Sequence, residues 1–275
     1  MNTDGIYFGD ILIDYRKFIR IFFMVYSSVI CTSSRAERLN YFDESPLAGN
    51  EYRLIYREDW SDGISKEIKV QRAKIDDIKT ISEVGIDNAL RVTINKSEDF
   101  SRVANGKPRA EIILPTPVRF LQGHDYIIRW STKIPLDFGF YTSQAITQMH
   151  QEQSSGSPPL MLALTQRGYV LHQRGASDKT EQVIDICCAL KERGRWVFWE
   201  LHYRPGADGK NSVTNLKKDG ETVVDLIDME NSYPNDNAAY FKLGIYLPGG
   251  WKSSKMGPIT LFYGPVSVWE RIFGS

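Results

Sequence analysis

Residues 240–246, Tyr-Phe-Lys-Leu-Gly-Ile-Tyr, separate at a period of two. Phe241, Leu243, Ile245 and then Leu247 fall on one face, and Tyr240, Lys242, Gly244 and Tyr246 on the other. That alternation predicts a half-buried β-strand whose apolar set faces a core. The polar face is not ordinary solvation. A phenol exchanges protons, an ammonium holds an anion, and a glycine removes bulk where a ligand approaches. A surface strand carrying its tyrosines by accident would show the same pattern, so the rest of the chain decides.

Working outward, short strands follow one another with turn residues between them. Tyr52, Leu54 and Tyr56 alternate as a first strand, and a short helix is expected between Ile75 and Val84. Strands are then expected at Leu90–Asn95, Arg109–Leu114, Tyr126–Ser131 and Ser143–Gln151. Leu160–Thr165 and Tyr169–Gln173 read as a hairpin, followed by Gln182–Leu190 and Trp196–Arg204. Val213–Lys217 and Thr222–Ile227 flank Asp219-Gly220, a strong hairpin signal. Ile259–Tyr263 and Val266–Ile272 close the series. About a dozen strands with almost no helix imply two packed antiparallel sheets, an all-β jelly roll, and not a parallel α/β sheet. With no repeat or linker after residue 50, residues 35–275 read as one domain.

Lys+Arg and Asp+Glu both number 34 in 275 residues, so no global field draws nucleic acid and a charged partner must be gripped locally. Three cysteines, Cys31, Cys187 and Cys188, cannot build a disulfide framework, and the adjacent pair reads as small core or surface residues. Arg16, Lys17 and Arg20 precede an apolar run from Ile21 to Cys31 and then Thr32-Ser33-Ser34. That is the layout of a secretory signal over residues 1–34, too short an apolar run to span a bilayer comfortably. A start at Met24 would remove that signal, and Cys31 raises a lipid anchor, although Ile30 before it is bulky for such processing. Export is the reading favoured here, to a secreted or periplasmic location.

Three strands carry polar groups two residues apart: Arg109 with Glu111, Gln148 with His150, and Tyr240, Lys242 and Tyr246. Side by side in one concave sheet, they would gather a guanidinium, an amide, an imidazole, an ammonium and two phenols in a cleft. Taken singly, each is ordinary. Arg109 and Glu111 would make an ion pair, and a lone histidine is more often structural than catalytic. His124 sits in a turn, His172 lacks comparable partners, and His202, alternating with Glu200 and Arg204, is the second-choice histidine. No histidine pair has metal-ligand spacing and no Cys/His cluster exists.

Arg109-Ala110-Glu111, Gln148-Met149-His150 and YFKLGIY, in that order, resemble the signature strands of jelly-roll polysaccharide lyases, R-x-E, Q-x-H and Y-F-K-x-G-x-Y. The resemblance covers approximately residues 50–275. After Tyr246, where alginate-type members carry Asn-Gln, this chain has Leu247-Pro248-Gly249-Gly250-Trp251, which tilts it toward heparin lyase-like or glucuronan lyase-like members. The resemblance implies β-elimination on a uronic-acid polymer, with His150 and Tyr246 catalytic. Arg109, Gln148, Lys242, Tyr240, Glu111 and Trp251 would bind substrate, with no metal and no cofactor. His150 would take the C5 proton and Tyr246 protonate the leaving oxygen, or Tyr246 would do both on a substrate of opposite C5 configuration. Trp251 and Lys252, in the loop from Pro248 to Gly257, would serve a flanking subsite or form an ordinary loop.

The expected partner is an anionic polysaccharide, with no nucleic acid, no membrane-spanning segment in the mature chain, and a monomeric state. Two other classes compete. A carbohydrate-binding module on the same fold would not need both His150 and Tyr246. A glycoside hydrolase needs two carboxylates flanking the bond, and only Glu111 and Glu200 are offered.

Overall fold

The computed structural model describes residues 41–46, 51–140, 142–152, 156–175, 181–252 and 256–272. Leu39–Ser275 is one compact unit, and the expected signal segment before residue 35 lies outside the described residues. The first strands are β1 (Tyr52–Glu58), β2 (Lys69–Gln71), β3 (Ile78–Glu83), β4 (Ile86–Ile94) and β5 (Arg109–Ile113). Next come β6 (Tyr126–Lys133), β7 (Gln144–His150), β8 (Leu160–Leu164), β9 (Tyr169–Gln173) and β10 (Gln182–Ile186). The last are β11 (Trp196–Arg204), β12 (Val213–Lys218), β13 (Glu221–Ile227), β14 (Tyr240–Tyr246) and β15 (Ile259–Arg271).

The strands form two antiparallel sheets. One runs β13-β12-β11-β6-β15-β4-β3, with β1 also paired to β15; the other runs β10-β9-β8-β7-β14-β5-β2. The sandwich matches the jelly roll expected from the strand count. Between the sheets, Trp130 of β6 meets Phe241 of β14 edge-on at 5.3 Å, and Tyr169 of β9 meets Trp199 of β11 at 5.0 Å. Phe241, Leu243 and Ile245 are each at most 1% exposed, as the alternation requires.

Two local expectations are corrected. The 75–84 stretch holds only a single 3₁₀ turn at Ile75–Asp77 before β3 begins. The β-branched Ile78, Thr80 and Ile81 favour extended backbone, and the ladder to β4 decides it. The final two expected strands are one, because pairing to β6 shifts register between Tyr263 and Val266. A bulge there absorbs Pro265, which has no N–H to give, and the Gly264 carbonyl accepts the Trp60 indole N–H at 2.7 Å. Cys187 is exposed and Cys188 half-buried, in line with the reading of the pair as small core or surface residues.

Candidate active site

β14 lies between β5 and β7, so the three motif strands are immediate neighbours. Lys242 pairs with Gln148 on one side and Ile113 on the other; Tyr240 pairs with His150, and Tyr246 with Arg109. Cross-strand partners share a face. Ala110, Ile112, Met149, Phe241, Leu243 and Ile245 belong to the core, which turns Arg109, Glu111, Gln148, His150, Tyr240, Lys242 and Tyr246 to the opposite face of the sheet.

Glu111 is the hub. Its Oε2 accepts from Lys242 Nζ at 2.7 Å and from an Arg109 N–H at 3.2 Å, while its Oε1 accepts from the Gln148 amide. Both Glu111 oxygens, expected to serve substrate binding, are taken by these donors, and the side chain is 2% exposed. Lys242, expected to face outward, is also only 2% exposed, because long polar neighbours cover it. Burial pushes its ammonium below the ordinary lysine range, and Glu111 partly restores it.

Two residues the sequence reading missed complete the network. Gln71 of β2, paired opposite Glu111, accepts from Lys242 at 3.0 Å and from Arg109 at 3.3 Å. Asn105 accepts from Arg109 at 2.6 Å and its amide donates to the Tyr246 hydroxyl oxygen at 3.4 Å. The only sequence signal for Asn105 was its Asn-Gly turn just ahead of β5; Gln71 sits on a three-residue edge strand without periodicity. The Arg109 guanidinium also lies 4.0 Å over the Tyr246 ring.

His150 stands at the other end of the motif. Its ring stacks on Tyr240 at 5.2 Å, and Nδ1 lies 2.8 Å from the carbonyl oxygen of Gln151. A carbonyl only accepts, so Nδ1 carries the proton and the neutral ring keeps its lone pair on Nε2. Burial pulls the His150 pKa below 6.5, with Lys242 and Arg109 acting in the same direction and Glu111 and the Gln151 carbonyl against it. Tyr240, half-buried, has its phenol pushed up by burial and by Glu111, and Arg119 lies 5.7 Å from its ring.

The remaining candidates lie off these three strands. Trp251, read as a flanking-subsite platform or part of an ordinary loop, is half-buried against the main core. His202 and Arg204 bond Asp125, and Glu200 bonds Arg129 and Lys217, on the outward face of the other sheet. Glu111 and Glu200 therefore cannot flank one glycosidic bond, which removes the hydrolase reading. His124 pairs with Glu270 and His172 with Glu181. Among the described residues no group of three His, Cys, Asp or Glu side chains could hold a metal ion, and no helix is long and apolar enough to cross a membrane.

A search of curated proteins found no match. Among solved structures, an endo-β-1,4-glucuronan lyase from the fungus Trichoderma reesei aligns at 15% identity over 78% of this chain and 95% of that one, TM-score 0.64. An alginate lyase, vAL-1, from a Chlorella virus aligns at 11% identity over 74% and 92%, TM-score 0.56. Alginate lyase A1-II', a member of polysaccharide lyase family 7, aligns at 15% identity over 75% and 96%, TM-score 0.54. These likenesses establish a shared fold. The sequence pattern of the family described as polysaccharide lyase matches residues 57–265, a span that takes in all three motif strands. With more than half its length matched, the chain belongs to the polysaccharide lyase family.

Proposed function

We propose that this lyase cleaves a uronate-containing polysaccharide by β-elimination, with a glucuronan-type or heparin-type polymer favoured over alginate. The carrying observation is the buried network around Glu111, flanked on one face by His150 and Tyr246. Arg109 and Lys242 bring two positive charges and Glu111 one negative, so one positive charge remains for a substrate carboxylate. Gln148 gives one amide hydrogen to Glu111 and keeps its second for the same carboxylate.

In the reaction His150 Nε2 removes the C5 proton, the C5 electron pair forms the C4=C5 double bond, and the C4–O bond breaks. Tyr246 delivers its hydroxyl proton to the leaving oxygen, so one chain becomes two with no water consumed. Asn105 donates to the Tyr246 oxygen, which leaves the phenolic hydrogen free to be given away. Arg109 over the ring stabilises the charge that follows. Donors aimed at the carboxylate matter because negative charge grows there as C5 loses its proton; each is worth about 3 kcal/mol by analogy with an oxyanion hole.

A second reading is favoured by the spacing. His150 pairs with Tyr240, and six strand steps to Tyr246 span up to about 20 Å of backbone. Tyr246 acting alone as base and acid would not require that distance to be bridged. The His150 tautomer argues for the first reading, because an Nε2 lone pair accepts a proton and cannot grip a carboxylate.

The test is incubation with a panel of uronate polymers, followed by the ultraviolet absorbance of the new double bond. Tyr246→Phe and His150→Ala should each lower turnover about 10²–10⁴-fold while polymer binding persists. If His150→Ala keeps its turnover, Tyr246 acts alone. A wild type that binds a uronan but yields no unsaturated ends is a binding module. Export is proposed with this function, from the basic and apolar layout of residues 16–34, and so is action as a monomer.

A further inference from the structure

Beneath His150 lies a carboxylate that the reaction scheme does not use. Asp236, in the loop between β13 and β14, is 3% exposed. Its Oδ1 accepts the N–H of Glu152 at 3.3 Å and of Ala238 at 3.4 Å, and its Oδ2 has no hydrogen-bond partner. The Glu152 nitrogen belongs to the peptide whose carbonyl is that of Gln151, the acceptor of the His150 Nδ1–H. One planar amide therefore joins carboxylate to imidazole. Amide resonance couples its two ends: an anion at the N–H draws electron density onto the carbonyl oxygen and strengthens it as an acceptor.

We propose that Asp236 is a positioning residue that holds His150 in its Nδ1–H tautomer through the Gln151–Glu152 peptide, leaving Nε2 as the proton acceptor. The inference rests on the reading of His150 as the base. Asp236 is itself held in place. Its N–H donates to Tyr233 O at 3.3 Å, and the Gln122 amide donates to the carbonyls of Tyr233 and Asp236 at 2.9 and 3.4 Å. Ala239 then bridges to Phe120. The bond to Ala238, two residues on, would serve a turn whether or not His150 mattered. The bond to Glu152 lies 84 residues away in sequence and serves no local turn.

The charges around the pair are few. Lys242 and Arg109 disfavour the imidazolium, and Glu111 favours it. Tyr240 is stacked on the ring, and Glu152 follows on the same chain segment. Around Asp236, burial raises the carboxyl, Glu152 acts in the same direction, and the two N–H donors and His150 pull it down. The buried Tyr203 hydroxyl also feels its charge.

Asp236→Asn separates the alternatives, because the amide oxygen still accepts both N–H groups while the charge is lost. In ¹⁵N-labelled full-length protein, the imidazole nitrogen shifts report tautomer and titration midpoint together. Wild type should show mostly Nδ1–H. Asp236→Asn should raise the other tautomer at least twofold and lower the midpoint by about half a pH unit, since an anion that favoured the imidazolium is gone. Glu152→Gln, which removes a nearby charge without touching the peptide link, should change neither. The idea is overturned by an unchanged imidazole in Asp236→Asn, or by an equal effect from Glu152→Gln. A readout without substitution covers the case where Asp236→Asn does not fold: in wild type, the Glu152 amide proton and the His150 tautomer ratio should move together as Asp236 protonates, and independent movement refutes the link. None of these readings needs turnover. An unchanged imidazole in an active lyase refutes this inference alone, and a shifted one in a protein that cleaves no uronan refutes the proposed function alone.

Discussion

Replacing Glu111 by alanine tests the hub of the site, and its cost follows from the burial of the partners. Lys242 and Glu111 are each 2% exposed, with Nζ and Oε2 at 2.7 Å, and Arg109 shares the same oxygen. Without Glu111, Lys242 retains Gln71 at 3.0 Å, a neutral acceptor, and two buried cations face each other with no anion. Breaking a buried ion pair from one side costs about 3–5 kcal/mol. For a domain of this size each kcal/mol lowers Tm by about 2–4 °C, so a fall of roughly 6–20 °C is expected. Urea denaturation with an unchanged m-value would measure it. Lys242→Met leaves Glu111 with Arg109 and Gln148, and combining it with Glu111→Ala should cost much less than the sum, with a coupling of about 2 kcal/mol or more. A Glu111→Ala protein within about 1 kcal/mol of wild type, or two fully additive substitutions, would refute the hub.

With His150 as the proposed base, the pH profile of kcat/KM should keep its acid limb below 6.5, because burial lowers the His150 pKa; a limb above 6.5 contradicts that proposal. The same depressed pKa makes the fold lose stability as pH falls from 6.5 through the lowered value, since only the unfolded chain binds that proton readily, and denaturation at stepped pH reads the slope. Gly244→Ala should destabilise by about 2–4 kcal/mol. Its φ is +142° and an added Cβ would lie 2.2 Å from the Ala110 carbonyl oxygen, so thermal melting should show the loss even though the change adds one methyl. Met149→Leu, at 1% exposure on the core side between Gln148 and His150, should cost less than about 1.5 kcal/mol and leave turnover intact, as an activity assay would show.

The sorting of faces was legible in sequence because a strand's period of two leaves no freedom once one face is buried. Phe241, Leu243 and Ile245 therefore fixed where Lys242 and Tyr246 had to point. Adjacency of the three strands stood only as a condition that a jelly roll makes feasible, since pairing between residues such as Glu111 and Gly244 is a property of topology and not of any local pattern. Burial of Lys242 was illegible for the same reason: its cover comes from Gln71, Arg109 and Gln148, on three other strands. Asp236 gave no signal at all, because its partner amide lies 84 residues away. The chain between Ile75 and Val84 misled because its isoleucines fit a helical stripe and a strand equally well until β4 is beside them.

The positive charge left over in the network also bears on what happens after bond cleavage. On the proposed reading, elimination removes the C5 stereocentre and the C4–O bond while the carboxylate survives, so the product keeps the group that the Arg109–Lys242 network would hold. Arg109 and Lys242 are tied to Glu111, so their charge stays in place when the bond breaks. The unsaturated fragment should therefore leave slowly and compete with fresh polymer, so that progress curves bend early and added salt, by offering a substitute anion, speeds the late phase of the reaction.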